Sequence, residues 1–518
     1  MTFGTAGETY DEEPYAGLTH QQTHPDLLAT IGRLLGLAPA PIDSCRVLEL
    51  GCGAGANILA MAEVLPGSEF LGVDYSERQV REGREAASEL GLSNVTLHHA
   101  DIRSLAPLDL GTFDFVIAHG VYSWVPADVR DALLATCKSV LNPHGIAYVS
   151  YNAYPGWFMM RGLREAMLYR TRDAVSLRDQ AEQADAFVRL LRLAAPPSGD
   201  PFSQFLEVYG AHVEGRRRIG GDRAASLLLH DELAEVNDPF YFHEFAEHAA
   251  AHGLQYLADA DFPSVFPGRL PAAVQAELRA IGRTVVEYQQ YLDFLTNASF
   301  KQTLLCHDER ALSRRLGDDL DVIRGLYAGS PARPEGKEDL ARGVVRQFAG
   351  SDGARLAIDH PIGKAAMAIL TERYPARVAF PQLLAEARAR PGAPLTGDPA
   401  EEAQLAAVLL QGLSYSTSLV EMGTVAGAFT LSPGPRPRTP AFARRQASAG
   451  MATVTNLRHE RITLDPVQVR LLALFDGTRT RDEALALVRR EVDGGAMRQL
   501  SAFEKAFELL TETALFMA

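Results

Sequence analysis

Cysteine is scarce: the 518 residues hold four, Cys45, Cys52, Cys137 and Cys306, with no C-x-x-C pair among them. Neither a thiolate zinc site nor a disulfide framework is therefore expected, and the thiols are read as reduced. No stretch approaches the ~18 uninterrupted apolar residues of a membrane-spanning helix. Met1 to Tyr15 carry acidic and polar groups where a secretory signal would need a basic start and an apolar run, so a cytoplasmic location with no membrane partner is expected. Positive charge is in deficit too. Fifty Lys and Arg against 65 Asp and Glu give a formal net charge of −15, a field that repels phosphate backbones, and nucleic-acid binding is not expected without a concentrated basic face.

What is present is an ordinary globular composition and length for about three or four domains at ~150 residues each. From Val47 to Tyr154 short apolar runs alternate with helical segments, the pattern of βαβ units and a parallel sheet. Strands are expected at 47–50, 70–73, 95–98, 113–118 and 146–150, with helices at 54–65, 77–90 and 126–141. After Pro155 strand signals fade and amphipathic segments rich in Leu, Ala and Arg run to about Arg315. Glycine and proline at 329–336 mark a boundary, and Ser432-Pro433-Gly434-Pro435-Arg436-Pro437-Arg438-Thr439-Pro440 reads as an extended linker. A faint internal repeat flanks it: Asp359-His360-Pro361 and Leu464-Asp465-Pro466 each precede an apolar helix, a turn and a second helix. Two winged-helix-like modules are expected, and their balanced charge favours protein or domain contacts over DNA.

Gly51-Cys52-Gly53-Ala54-Gly55 follows a strand and opens a helix, so a ligand can approach the backbone where helix amides face it. Read through Ala56 it is also compatible with a dinucleotide loop. Acidic residues at three successive strand tips separate the two. Glu49 would oppose a pyrophosphate but suits an ammonium and a sulfonium; Asp74 is placed for the ribose hydroxyls; Asp101 is placed for an adenine amino group, with Ile102 against the ring. These select S-adenosylmethionine (SAM) over a nicotinamide cofactor or a fold that has lost its ligand. Cys52, Asn57, Tyr75, Ala100, His119 and Gly120 complete the expected cofactor set.

The methyl acceptor is expected beside it. His119-Gly120-Val121-Tyr122-Ser123-Trp124 follows the fourth strand and Tyr151-Asn152-Ala153-Tyr154 the fifth, at the carboxyl edge where α/β folds assemble their chemistry. Tyr122, Trp124, Tyr151 and Tyr154 would line an aromatic slot. His119 and Asn152 would orient an amine, and Tyr241 or His243 would reach in from the helical region. Tyr241-Phe242-His243-Glu244-Phe245-Ala246-Glu247-His248 superficially resembles H-E-x-x-H, but its histidines are five apart and about 140° from each other on a helix, so no metal is expected.

Longer strings carry a family resemblance. Gln22-Thr23-His24-Pro25-Asp26, His119 to Pro126, Ser150 to Trp157, His230 to Phe245, Gly253-Leu254-Gln255-Tyr256-Leu257 and Gln302-Thr303-Leu304-Leu305-Cys306-His307 resemble bacterial methyltransferases with a regulatory domain, the group that contains the rickettsial protein lysine methyltransferases. The resemblance implies an N-terminal cap around Tyr15 over SAM, a helical middle domain closing the substrate side, a winged-helix-like region that holds a protein, and lysine side chains as acceptors. Around Tyr15 the chain reads Pro14-Tyr15-Ala16-Gly17, a departure from the more apolar stretch of relatives.

The expected architecture is α/β: a Rossmann-like doubly wound sheet with its cap over 1–157, a helical domain over 158–328, and winged-helix-like modules over 329–431 and 441–518. The expected function is SAM-dependent N-methylation of protein lysines, with S-adenosylhomocysteine as product. A small-molecule methyltransferase and a catalytically silent SAM-binding scaffold are the alternatives, and the oligomeric state is open, a dimer included.

Overall fold

The computed structural model describes residues 11–12, 17–105, 110–195, 200–220, 224–317, 319–337, 339–392, 397–491 and 500–518. α1 (Pro25–Leu34) opens on Pro25, and the His24 ring accepts from the Asp26 amide, satisfying one of the donors a helix start leaves unpaired. β1 (Arg46–Leu50) is buried beyond its first residue because it lies between two parallel neighbours and under helices on both faces. With α2 (Ala56–Val64), β2 (Glu69–Asp74), α3 (Glu77–Glu89), β3 (Val95–His99), β4 (Phe113–Ala118), α4 (Ala127–Val140) and β5 (Leu141–Asn152) it builds the parallel half of a seven-stranded sheet. Val47, Phe70 and Phe115 face Leu28 of α1 and Met61 of α2, while Leu48, Val73 and Val116 face Leu133 and Leu134 of α4.

α5 (Trp157–Thr171), α6 (Leu177–Ala194), α7 (Pro201–Gly220) and α8 (Ala224–Asp231) then form a helical unit around Leu163, Met167, Ala184, Val188 and Leu206. The chain does not stay helical. After α9 (Phe242–Ala251) it returns to the sheet as β6 (Leu254–Asp259), leaves through α10 (Ala272–Ile281) and α11 (Val285–Thr296), and re-enters as β7 (Phe300–His307). The strand order is β3-β2-β1-β4-β5-β7-β6, with β7 antiparallel to both neighbours. The expected division of the chain near residue 157 therefore cuts a continuous sheet, and the helical excursion is an insertion between its fifth and sixth strands. Lys301, buried in β7, is neutralised by Asp259 of β6 at 2.5 Å and Asp293 of α11 at 3.0 Å.

After α12 (Leu320–Arg324) come β8 (Tyr327–Gly329), β9 (Arg333–Pro334), the hairpin β10 (Arg346–Ala349) and β11 (Arg355–Ile358), α13 (Pro361–Arg373), β12 (Val378–Ala379), α14 (Phe380–Ala389), α15 (Ala400–Tyr415) and β13 (Glu421–Gly423). Beyond the proline-rich segment lie α16 (Ala441–Ser448), the hairpin β14 (Thr453–Thr455) and β15 (Arg461–Thr463), α17 (Pro466–Leu474), α18 (Arg481–Glu491) and α19 (Leu500–Glu512). Both modules run hairpin, proline-initiated helix, helix, helix, which gives the faint repeat its physical form. Their cores differ. Leu370, Phe380 and Leu409 of the first are continuous with the apolar layer behind the sheet, whereas Leu471, Phe475 and Phe503 of the second form a separate core.

The last module is tied to the sheet domain. Glu63 of α2 accepts from the Ala441 and Phe442 amides at 2.5 and 2.9 Å, capping α16, and Phe442 fills a groove between Leu59, Ala60, Ala86 and Ala87. A buried ionic chain runs from Asp26 through Arg377 and Glu421 to Arg458, joining α1 to both modules. No described helix is long and apolar enough to cross a membrane.

Candidate functional site

The glycine loop at the tip of β1 turns through left-handed backbone at Gly51, Gly53 and Gly55, with φ of 74°, 55° and 72°. A Cβ on Gly51 would come within 2.5 Å of Val121, so the loop also packs against the β4 connection. Asp74 at the tip of β2 fixes it from outside: one carboxylate oxygen accepts from the Gly53 amide at 2.7 Å and the other from Ser76 at 2.8 Å. Burial raises the Asp74 carboxyl above its usual range, and these amides act against that rise. No side chain caps the first turn of α2.

Glu49 lies beneath the loop, 4% exposed. One of its oxygens accepts from Asn57 at 2.8 Å; the other is buried with no hydrogen-bond partner. Burial pushes this carboxyl up to about 8, opposed by Asn57 and aided by the charge of Asp74. A buried unsatisfied carboxylate oxygen is costly, and a cationic ammonium is the kind of group that would relieve it. Gly120, at φ 66°, adds open space: a Cβ there would meet nothing within 4 Å. The donor set and the space both fit SAM.

Not every expected cofactor residue joins this pair. Asp101 caps the short turn at 102–104, and its carboxylate is engaged by Arg103, which also reaches Asp128. Ala100 donates its amide to the Asp74 carbonyl, Ile102 is half-buried beside it, and the Tyr75 ring is exposed. Asn57 is a clasp. Its amide group donates to Glu49 and Thr23 and accepts from the His20 backbone and from His459. Cys52 is half-buried with its thiol raised by burial. Tyr15 lies outside the described residues, although Asp11 reaches Ser76 and Arg78 at the tip of β2 and Gly17 crosses Ala56 at 3.0 Å from a would-be Cβ.

His459 is a residue that sequence reasoning missed. It stands on the wing between β14 and β15 at φ 62°, and its ring reaches Asn57 at 2.8 Å. His20 stacks on His119 with centroids 3.6 Å apart, and His24 lies 5.4 Å from His459. Burial depresses all four: His24 to about 4, His119 to about 3, and His20 and His459 well below their ordinary value. These groups are neutral at pH 7. Because the unfolded chain takes up protons below pH 6.5 that the folded chain refuses, stability is complete above 6.5 and falls as pH drops toward 4. Thermal melts from pH 7.5 to 4.5 should show that loss, and His459→Asn should make it shallower by one proton. His459→Gly, which keeps the left-handed backbone, is expected to weaken SAM binding about fivefold or more by releasing the Asn57–Glu49 clasp, read by calorimetry.

The second set divides in the same way. Tyr122, Tyr154 and Tyr241 line a cavity of about 650 Å³ with Phe240, Arg130 and the carboxyl-bearing Asp131, Asp238 and Glu244. Tyr122 is 2% exposed, with its hydroxyl bonded to His248 at 2.7 Å. Trp124, Tyr151 and Asn152 do other work: Trp124 donates to the Asp231 carbonyl, Tyr151 stacks on Phe245 and bonds Thr303, and the Asn152 amide donates to Asn237. His243 is held by Gln290. His119 bonds Tyr148 at 2.8 Å on the cofactor side. The acidic lining was not singled out from the sequence, although Asp238 and Glu244 fall within the string from His230 to Phe245.

Three family models match: a methyltransferase domain over residues 47–145, a predicted methyltransferase regulatory domain over 224–307, and the PKMT C-terminal winged helix domain over 435–507. An uncharacterized protein of Rickettsia prowazekii is 30% identical over 497 residues, spanning 94% of this chain and 87% of its own length. The solved structure of PKMT2 from Rickettsia typhi is 28% identical, covers 98% of this chain and 100% of its own, and superposes with a TM-score of 0.82; a second structure of it is in complex with AdoHcy. An arsenite methyltransferase of Aquipseudomonas alcaligenes is 32% identical over 136 residues, 25% of this chain and 39% of its own length. With its glycine loop, paired strand-tip carboxylates, regulatory domain and winged helix, the chain belongs to the family of SAM-dependent methyltransferases that carry a regulatory domain and a PKMT-type C-terminal winged helix domain.

Proposed function

We propose that the chain N-methylates lysine side chains of a protein substrate. The observation that carries this reading is the cavity walled by Tyr122, Tyr154 and Tyr241 and lined by Asp131, Asp238 and Glu244. The Asp238 and Glu244 carboxylates in the lining attract a lysine ammonium, while the aromatic walls disfavour its charged form. A free lysine, with a pKa of about 10.4, is neutral only about once in two thousand at pH 7, so this desolvation raises the fraction able to react. Bound SAM supplies a methyl group on a sulfonium. The chain's own part is alignment and exclusion of water, and no covalent enzyme intermediate is required. Gly51 to Gly55, Glu49 and Asp74 would hold the cofactor; Tyr122 and Tyr154, on the β4 and β5 connections at the same sheet edge, would present the amine to it. Relatives support a protein acceptor through the PKMT2 likeness and the shared winged helix domain.

Incubation of the full chain with methyl-labelled SAM and fractionated bacterial lysate is expected to place label on protein lysines. Glu244→Gln is expected to raise KM for the protein severalfold with SAM affinity unchanged. Label confined to the small-molecule fraction would overturn the lysine reading, and no label in either would point to a silent scaffold.

A further inference from the structure

His243 and His248 are five apart, but His248, on the last turn of α9, and His252, the residue that caps its C-terminus, are four apart, and their rings lie side by side with centroids 5.3 Å apart. Opposite them stands Asp131 of α4. One of its carboxylate oxygens lies 2.9 Å from Nε2 of His252 and 3.5 Å from Nε2 of His248, and the ligand atoms of all three lie within 4.8 Å of one another. Tetrahedral zinc with bonds of ~2.0–2.1 Å sets neighbouring ligand atoms ~3.3 Å apart. The two contacts to Asp131 straddle that spacing.

Two further observations suit a metal better than a simple ion pair. Metal-bound imidazoles usually engage their second nitrogen with a fixed partner, and Nδ1 of His248 is bonded to the Tyr122 hydroxyl at 2.7 Å. Both Asp131 and His248 also line the 650 Å³ cavity, so a fourth position would open on it. Two imidazoles and a carboxylate form a borderline donor set that favours Zn2+ over the oxygen-seeking Mg2+ and Ca2+.

We propose that Asp131, His248 and His252 form a three-ligand Zn2+ site that clips α4 of the sheet domain to α9 of the regulatory domain at the rim of the cavity. Coordination through Nε2 leaves the imidazole proton of His248 on Nδ1, so His248 donates to the Tyr122 oxygen and the Tyr122 hydroxyl hydrogen is released for another partner. This inference does not depend on which acceptor is methylated.

The test uses the untagged full chain, stripped with chelator and titrated with ZnCl2 by calorimetry, with CoCl2 as an optical probe. Binding is expected to saturate at one ion per chain, to raise the melting temperature, and to give cobalt d–d bands without thiolate charge transfer. His252→Ala and Asp131→Ala are each expected to weaken Zn2+ binding at least about tenfold while melting like the chelator-treated parent. Zinc binding that does not saturate at one ion or that survives His252→Ala unchanged, or a cobalt spectrum that carries a thiolate charge-transfer band, would overturn the proposal. A variant that melts below the stripped parent is replaced by His252→Gln, for which the same outcomes decide.

Discussion

Asp74→Ala is expected to weaken SAM binding at least about a hundredfold. The carboxylate accepts from Gly53 and Ser76, so it sets the shape of the loop, and its remaining lone pairs would accept from the ribose hydroxyls of a bound SAM. Hydrogen bonds to a charged acceptor contribute about 1.5–3 kcal/mol each, and removing both ribose hydrogen bonds together exceeds a factor of about one hundred. Asp74→Asn should fall between, because an amide keeps one acceptor but turns a donor toward a backbone N–H. Asp101→Ala should cost less, since Arg103 already engages that carboxylate. Calorimetry with SAM and with S-adenosylhomocysteine checks all three, alongside melts to show that the loop remains folded. If Asp74→Ala binds as tightly as the parent, the cofactor cleft has been misplaced.

The parallel half of the sheet was legible because its strands are short apolar runs punctuated by glycine and acidic tips: β1 to β4 end within one residue of the expected bounds, while β5 begins at Leu141, five residues before the expected 146, because Asn142 to Gly145 extend the strand. β6 and β7 were not. Leu254-Gln255-Tyr256-Leu257-Ala258-Asp259 has no β-branched residue, and Phe300-Lys301-Gln302-Thr303-Leu304-Leu305 carries a lysine where an interior strand should be apolar; both read as helix until their neighbours are known. The cofactor loop and Asp74 could be read from local order alone. The clasp of His459 on Asn57 could not, because it joins residues 402 apart in the chain. Likewise the proposed zinc ligands lie on two elements, and only the fold brings Asp131 to His248 and His252.

Lys301→Met is expected to destabilise the protein by about 3–5 kcal/mol, enough to lower the melting temperature of a chain this long by about 3–5 °C. Burial alone would pull the lysine ammonium down, but Asp259 and Asp293 hold it above its usual range. Removing the ammonium strands two buried carboxylates, one of which, Asp293, burial already pushes up to about 6. A carboxyl whose folded pKa is raised penalises the folded state as pH rises through that value. The deficit of Lys301→Met should therefore be largest near pH 8 and shrink toward pH 5, and Asp259→Asn in the same chain should recover part of it. Lys301 pairs with Tyr151 across β5 and β7, and the adjacent Phe300 meets His119 edge-on at 6.1 Å. Loosening β7 thus reaches the loop that carries Tyr154 into the cavity, and activity should fall before the sheet melts.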